Sequence, residues 1–356
     1  MPGRPTIMLD RFNLPKPMDL DLLDSLLSLG AIDGRLDDRC DLLPPWTIEQ
    51  GRSAQREMPY HAVMSGSAVA QAPGLEPTTL HAGDVLLLPS GDPHRIVDRE
   101  EGPERTEGGA HSNTRRRAAG TVTVRETPGE ATVMLCGRFV FGYAAWRLYR
   151  SLLPNYVIVR ARPAGEQNGH DGADAAPSRL NRLLGLMKEE SDRPEPGYAA
   201  VLRHLSAALF GLALRAAVDA EQAPVGMIAL AAHPRLRELA MRIVRAPGQA
   251  WTIEDMGEIA NMSRSSLIRS FGAAAGMTPA EFVTRVRIAE AGRLLKETEQ
   301  SVAAIGEAVG YASDAAFQRA FKRETDMTPA AWRAAPSPLE PARAPRFVEI
   351  DGAKAH

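Results

Sequence analysis

Only two cysteines, Cys40 and Cys136, occur in the 356 residues, far apart in the chain. That excludes the disulfide framework of a small secreted protein, and the spacing fits no zinc site. An excess of one charge is missing too: 42 Lys and Arg stand against 44 Asp and Glu, so any surface for nucleic acid must be local. Residues Met1 to Leu14 have no apolar stretch behind a basic one, as a secretory leader would. Long apolar runs are lacking as well. The best of them, Ala199 to Val218, is interrupted by Arg203, His204 and Arg215. No membrane span is expected, and a cytoplasmic location is. What remains is a chain that is 44% apolar and long enough for two domains.

Taken in order, residues 1–18 carry four prolines and are expected to be disordered. Residues 19–160 open with a helical apolar face (Leu22, Leu23, Leu26, Leu27, Leu29) and then give short strand-like segments bounded by Pro, Gly and Asp. Such spacing suggests a β-sandwich or barrel. Within it, residues 99–120 lose all apolar periodicity and read as a flexible insertion. Residues 161–177 read as a linker. A helical hairpin is expected over 178–220, and its second helix is richer in apolar residues than a lone surface helix needs. Core packing accounts for that, and so does burial against a second subunit in a homodimer. A second linker is placed at 221–232, a wholly helical unit at 233–335, and a flexible tail at 336–356. The fold class is therefore α+β in two domains: a β-barrel with a helical extension, then an all-α unit.

The all-α unit contains the same text twice. Met262-Ser-Arg-Ser-Ser-Leu-Ile-Arg-Ser-Phe271 is answered by Ala312-Ser-Asp-Ala-Ala-Phe-Gln-Arg-Ala-Phe321, and each copy runs into Met-Thr-Pro-Ala. A constant spacing over separate segments marks an internal duplication. Each copy reads as a short helix, a tight break, and a second helix capped by Ser263 or Ser313. Leu267 with Phe271, and Phe317 with Phe321, form i,i+4 apolar pairs. The other face stays polar: Arg264, Ser265, Ser266 and Arg269 in one copy; Asp314, Gln318, Arg319, Lys322 and Arg323 in the other. This is helix-turn-helix design, whose second helix enters the major groove. There Arg suits guanine, Gln suits adenine, and Ala meets the thymine methyl. Two units joined by a rigid helix could reach successive major grooves, about 34 Å apart. Local charge adds little, with 14 Lys and Arg against 12 Asp and Glu from Ala231 to Ala335. A solvated outer face on an ordinary helical repeat would look similar.

These motifs, together with Ile305-Gly-Glu-Ala-Val-Gly-Tyr-Ala-Ser-Asp-Ala-Ala-Phe-Gln-Arg-Ala-Phe-Lys322, strongly resemble the AraC/XylS family of transcription regulators over about 100 C-terminal residues. The resemblance implies double-stranded promoter DNA as partner, with RNA polymerase a further one. By position it puts base-reading sites at Ser265, Ile268 and Arg269, and at Asp314, Ala315, Gln318 and Arg319. Gly272 stands where the second copy has Lys322, so the first reader should hold phosphate less well.

Gly83-Asp-Val-Leu-Leu-Leu-Pro-Ser-Gly-Asp-Pro-His94 resembles the second cupin motif, which implies a jelly-roll sensor in front of the reader. Asp98 replaces the motif's terminal Asn, and the first motif's histidines are reduced to His61. A cupin metal site usually needs three histidines and a carboxylate. With only His61 and His94 the expectation is pocket-lining histidines, and no cofactor. Two ordinary buried thiols are the plainer reading; against it, Cys40 lies between Arg39 and Asp41, a place that can be exposed and where a neighbouring cation lowers a thiol pKa, whereas Cys136 lies in a strand-like setting. The whole layout resembles cupin-fronted AraC-type regulators, some of which respond to reactive chlorine or other oxidants through cysteine. The resemblance maps that role onto Cys40 and Cys136 and leaves a small-molecule effector as the alternative. A regulator, not an enzyme, is thus expected. The rivals are a cupin metalloenzyme with a DNA-binding tail and a redox sensor working through protein partners alone.

Overall fold

The computed structural model describes residues 21–30, 32–98, 112–117, 120–125, 131–160, 176–193, 195–218 and 225–335. The predicted disordered N-terminus, the tail, and nearly all of the first linker lie outside them. In chain order the elements are α1 (Leu22–Leu27), β1 (Ile32–Leu42), β2 (Trp46–Gln50), β3 (Glu57–Ser65), β4 (Ser67–Ala72), β5 (Leu75–His81), β6 (Val85–Leu87), β7 (His94–Val97), β8 (Ser112–Arg117), β9 (Gly120–Arg125), β10 (Thr132–Phe141), α2 (Tyr143–Leu152) and β11 (Val157–Val159). Ten helices follow: α3 (Ala176–Asp192), α4 (Tyr198–Val218), α5 (Met227–Ala232), α6 (Leu236–Arg245), α7 (Ile253–Ala260), α8 (Arg264–Ala275), α9 (Pro279–Glu297), α10 (Val302–Ala308), α11 (Asp314–Thr325) and α12 (Pro329–Ala334).

The strands form two antiparallel sheets, ordered β1-β10-β3-β6-β11 and β5-β4-β7-β2-β9-β8. Successive side chains on a strand point to opposite faces, and the first sheet uses both. One face sends Cys40, Leu42, Val63, Leu86, Met134 and Cys136 inward, where they meet Trp46, Ile48, Leu80 and Ile96 of the second sheet. From the other face Met58, Tyr60, Leu135, Phe139 and Phe141 pack on helices, Phe139 and Phe141 both against Phe210 of α4. Gly34 lets α4 come close to β1: a Cβ there would stand 2.3 Å from the Ala207 nitrogen.

Two expectations need correction, and one pair of alternatives, an exposed or a buried Cys40, is decided. Residues 112–117, placed in a flexible insertion, form β8 and pair with β9. An edge strand is held by its ladder and needs no apolar alternation. Residues 227–232, placed in a linker, form α5, with Met227, Ile228 and Leu230 fully buried. Cys40 is buried, 1% exposed. Its charged neighbours point the other way, as strand geometry requires: Arg39 pairs with Asp41 at 3.2 Å and with Asp192 at the end of α3. A further helix, α2, stands unforeseen between β10 and β11.

One described helix, α4, has the length and mean hydropathy (1.4) of a membrane span. Its apolar side chains Leu202, Leu209, Phe210, Ala213 and Leu214 are buried within the protein, which accounts for its composition.

The helical cores are divided unequally. Helices α6 to α8 and the inner face of α9 share one continuous apolar core with α1, α2, α4, α5 and the back of the first sheet. By contrast α10 to α12 and the outer face of α9 enclose a small core of their own around Phe317, Phe321 and Trp332. Gly226 sits between the two halves of the larger core. Its N–H donates to Ala274 O of α8 at 2.7 Å, and a Cβ on it would stand 2.0 Å from Leu152 O of α2.

Candidate nucleic-acid interface and buried thiol site

Capping fixes where each second helix begins. Ser263 accepts from Ser266 N, and Ser313 from Ala316 N. The preceding breaks use left-handed backbone at Asn261 (φ 50°) and Gly310 (φ 89°), conformations that Asn and Gly adopt most readily. A reciprocal capping box forms at Thr278 and Glu281 at the start of α9, whereas Thr252 and Asp255 are joined by Thr252 accepting Asp255 N and by a hydroxyl–carboxylate bond of 2.6 Å.

Leu267 and Phe271, like Phe317 and Phe321, face inward with no exposure. That leaves Ser263, Arg264, Ser265, Ile268 and Arg269 exposed on α8, and Ser313, Asp314, Ala315, Gln318, Arg319, Lys322 and Arg323 exposed on α11 or its cap. Ser266 is half-buried, and its hydroxyl is engaged by Ser263 at 3.0 Å. Ile268 is 42% exposed, a large apolar side chain on an otherwise polar face. Gln318 donates to Asp314 at 2.7 Å, which occupies one carboxylate oxygen on this exposed face and orients the amide. Arg264 lies 3.7 Å from Glu254, an exposed pair of little energetic weight.

The relation between the two units depends on a residue the sequence did not single out. Arg287 of α9 donates to Pro247 O at 2.8 Å and Gln249 O at 2.9 Å, in the turn before α7, and lies under the Tyr311 ring of the second unit at 5.7 Å. One guanidinium thereby ties both units to the connecting helix. Only its central place in a helix joining two repeats hints at this.

Inside the barrel the sequence-selected thiols and histidines come together. His61 Nδ1 is 3.1 Å from Cys136 Sγ, and His61 Nε2 is 2.8 Å from His94 Nε2. His94 Nδ1 is 3.0 Å from Asp92 O. A carbonyl can only accept, so His94 donates from Nδ1. Burial holds both imidazoles below the usual histidine pKa, hence neutral, and a neutral ring has one donor and one acceptor. It follows that His61 donates from Nε2 to His94, and that His61 Nδ1 accepts the Cys136 S–H. The neighbouring Cys40 thiol, which favours the neutral form of Cys136, and burial push the Cys136 thiol well up. At rest Cys136 is a protonated thiol aimed at a neutral base.

The same bonds bear on how the two histidines could serve a metal. Both nitrogens of His61 are committed, to Cys136 and to His94, and no group of three or more His, Cys, Asp or Glu among the described residues is placed to hold a metal ion. The donors do not fit the metal centre of a catalytic cupin. The neutral pair also has a stability consequence. In the unfolded chain each histidine titrates near 6.5, while folded they take protons only at lower pH. The unfolded state therefore binds more protons below that value, and stability should fall as pH drops through about 6.5. Urea melts at pH 5.5 and 7.5 should show this, with a smaller difference in His61→Gln.

The model of the Cupin family matches residues 21–219, and that of a helix-turn-helix domain matches residues 256–335. Over 314 residues the chain is 28% identical to the RCS-specific HTH-type transcriptional activator RclR of Escherichia coli (strain K12), covering 88% of this chain and 97% of that one. It is 28% identical to the HTH-type transcriptional regulator MtrA of Neisseria gonorrhoeae over 88% of this chain and 98% of that one. A putative AraC-like transcription regulator of Streptomyces lividans is 30% identical over 89% of this chain and 99% of its own length. The chain belongs to the AraC family of transcription regulators. Its DNA-binding part is the pair of helix-turn-helix units, and its front part is the cupin-like barrel with the buried thiols.

Proposed function

We propose that this AraC-family regulator reads promoter DNA through α8 and α11 and is switched by oxidation of the Cys40–Cys136 pair. The observation that carries the switch is the hydrogen-bonded row Cys40, Cys136, His61, His94 inside the barrel. A hypohalous acid small enough to enter meets a thiol whose proton has an acceptor in place. Cys136 sulfur attacks the halogen, its proton passes to His61, and hydroxide leaves and takes a proton to become water. The sulfenyl halide is then displaced by Cys40, with release of halide and a proton, to give the disulfide. Oxidation consumes one equivalent of hypohalous acid and removes two electrons from the thiol pair.

Strand register supports a structural response. Cys40 lies opposite Met134, and Cys136 opposite Asp38, so the cysteines are diagonal neighbours on β1 and β10. Diagonal positions stand roughly 7–8 Å apart, while a disulfide needs Cα atoms within about 4.4–6.8 Å. Closing the bond pulls the two strands together. Strand β10 runs directly into α2, which packs on α9.

Binding of a promoter fragment, measured by anisotropy before and after one equivalent of hypochlorite and again after reductant, tests both halves. In the wild type, oxidation should change affinity or transcriptional output reversibly. Cys136→Ser should remove the change, and full retention of the response would reject the switch. Arg319→Ala should weaken specific binding roughly 5- to 150-fold, the worth of one bidentate base contact of about 1–3 kcal/mol. Unchanged affinity and specificity would remove Arg319 from the reading face.

The α3–α4 pair is the proposed dimer contact. Leu186 and Val201 on these two helices are 54% and 44% exposed. Light scattering should show a dimer that Leu186→Glu with Val201→Glu converts to monomer; a wild-type monomer at the concentrations active on DNA would discard this arrangement.

A further inference from the structure

A cleft of about 600 Å³ lies outside the barrel, between α2 on one side and α9 with the C-terminal ends of α11 and α12 on the other. Its walls are of two kinds. Trp146, Ile288, Met327 and Trp332 supply an apolar lining. Four arginines, 56, 147, 150 and 285, face two carboxylates, Glu324 and Asp326.

Both carboxylates are already matched. Asp326 pairs with Arg147, and Glu324 with Arg323 at 3.1 Å. Arg56 donates to Phe141 O at 3.3 Å. Arg150 of α2 and Arg285 of α9 are both partly buried, and neither has an ion pair among the described residues. Glu281, a turn before Arg285, acts on it only through space, because its carboxylate is held by the Thr278 capping box. Two guanidiniums thus share a cavity of ligand size with an indole-lined wall, and among the described residues no carboxylate is paired with either.

We propose that this cleft binds a small organic anion, a carboxylate with an aromatic or short apolar body, bridged by Arg150 and Arg285. Guanidinium forks grip a carboxylate bidentately, and the volume lies in the range of small-molecule sites. The site is separate from the thiols, so it constitutes a second input. It is also separate from the reading faces: α11 meets it only at Glu324 to Asp326, not at Asp314 to Arg319. A ligand that touches α2 and α9 together holds the barrel side and the reader side in one relation.

Titration calorimetry of the full chain with 4-phenylbutyrate, 4-phenylbutyramide and acetate tests this. One 4-phenylbutyrate should bind per chain, with the amide and acetate each at least tenfold weaker. Arg150→Gln with Arg285→Gln should lose at least tenfold in affinity for the carboxylate. Equal binding of the amide would show that charge is not read, and equal binding of acetate that a simple anion suffices; either overturns the proposal. So does unchanged affinity in the double variant, or no binding of 4-phenylbutyrate at millimolar concentration. Should the double variant melt lower than wild type, Arg150→Lys takes its place. It keeps the charge and loses the planar fork, and should weaken binding at least threefold; no weakening overturns the proposal.

Discussion

Replacing Phe317 with alanine should unfold the second helix-turn-helix unit while leaving the rest of the molecule standing. Phe317 has no exposed surface and stacks among Tyr311 and Phe321, with Trp332 next in the row. Truncating a buried phenylalanine costs about 3–5 kcal/mol. A small core held to α9 along one face cannot absorb such a loss, since the stability of a whole domain is only about 5–15 kcal/mol. Amide exchange should show α10 to α12 losing protection with α1 to α8 unchanged. Promoter contacts made by α11 should vanish with it. The matched change, Phe271→Ala, falls in the core that α8 shares with the barrel helices. It should lower the melting of the barrel side and the first reader together. Two variants with the same melting profile would contradict the division of cores.

Gly226→Ala should be nearly as damaging although it adds a single methyl group. Gly226 has φ 124° and ψ −142°, a region open in practice only to glycine, and strain there costs about 1–3 kcal/mol. The added carbon would also collide with Leu152 O, and relieving such overpacking costs about 1–3 kcal/mol more. The displacement must move α5 away from α2 or from α8, because Gly226 lies between them. Expected results are a loss of roughly 2–6 kcal/mol in denaturant melts and, under the proposed switch, a promoter affinity that no longer follows the oxidation state of the barrel. Wild-type melting with an intact response would show that α5 carries no coupling.

Short-range chemistry made the reader legible. Caps, breaks and i,i+4 pairs lie within a dozen residues of one another, and the repeat displays each of them twice. Ser263, Ser313, Asn261 and Gly310 therefore stand where their side-chain and backbone chemistry puts them. The barrel was legible as strands because short apolar segments recur between clusters of Pro, Gly and Asp. β8 was not, since residues 112–117 are polar and only pairing with β9 makes them a strand. Helix α5 is six residues long and too short to show a period.

Cys40 shows how the right signal can be misread. Charged neighbours suggested an exposed thiol. On a strand they mean the reverse, because Arg39 and Asp41 on one face put Cys40 on the other, in line with Leu42. The meeting of Cys136 with His61 rests on a register between β10 and β3 that places them directly opposite. Residues 75 positions apart give no local trace of that pairing. Arg147 and Asp326 lie further apart still, 179 residues, and join only when the barrel and the reader fold together.

The division of cores also sets where this chain can be recombined with its relatives. The familiar cut between sensor and DNA-binding part, in the stretch around residues 219–235, would pass through the packing of α5 and strip α6 and α8 of the apolar surface they share with α1, α2 and α4. A graft beginning after α9 meets a far smaller seam, chiefly Ile288, Ala291 and Leu295. Half of the DNA address could thus be exchanged between family members as a cassette, while the other half is inherited with the sensor. If α8 and α11 read DNA as proposed, new operator specificities should accumulate more readily at the half-site of α11 than at that of α8.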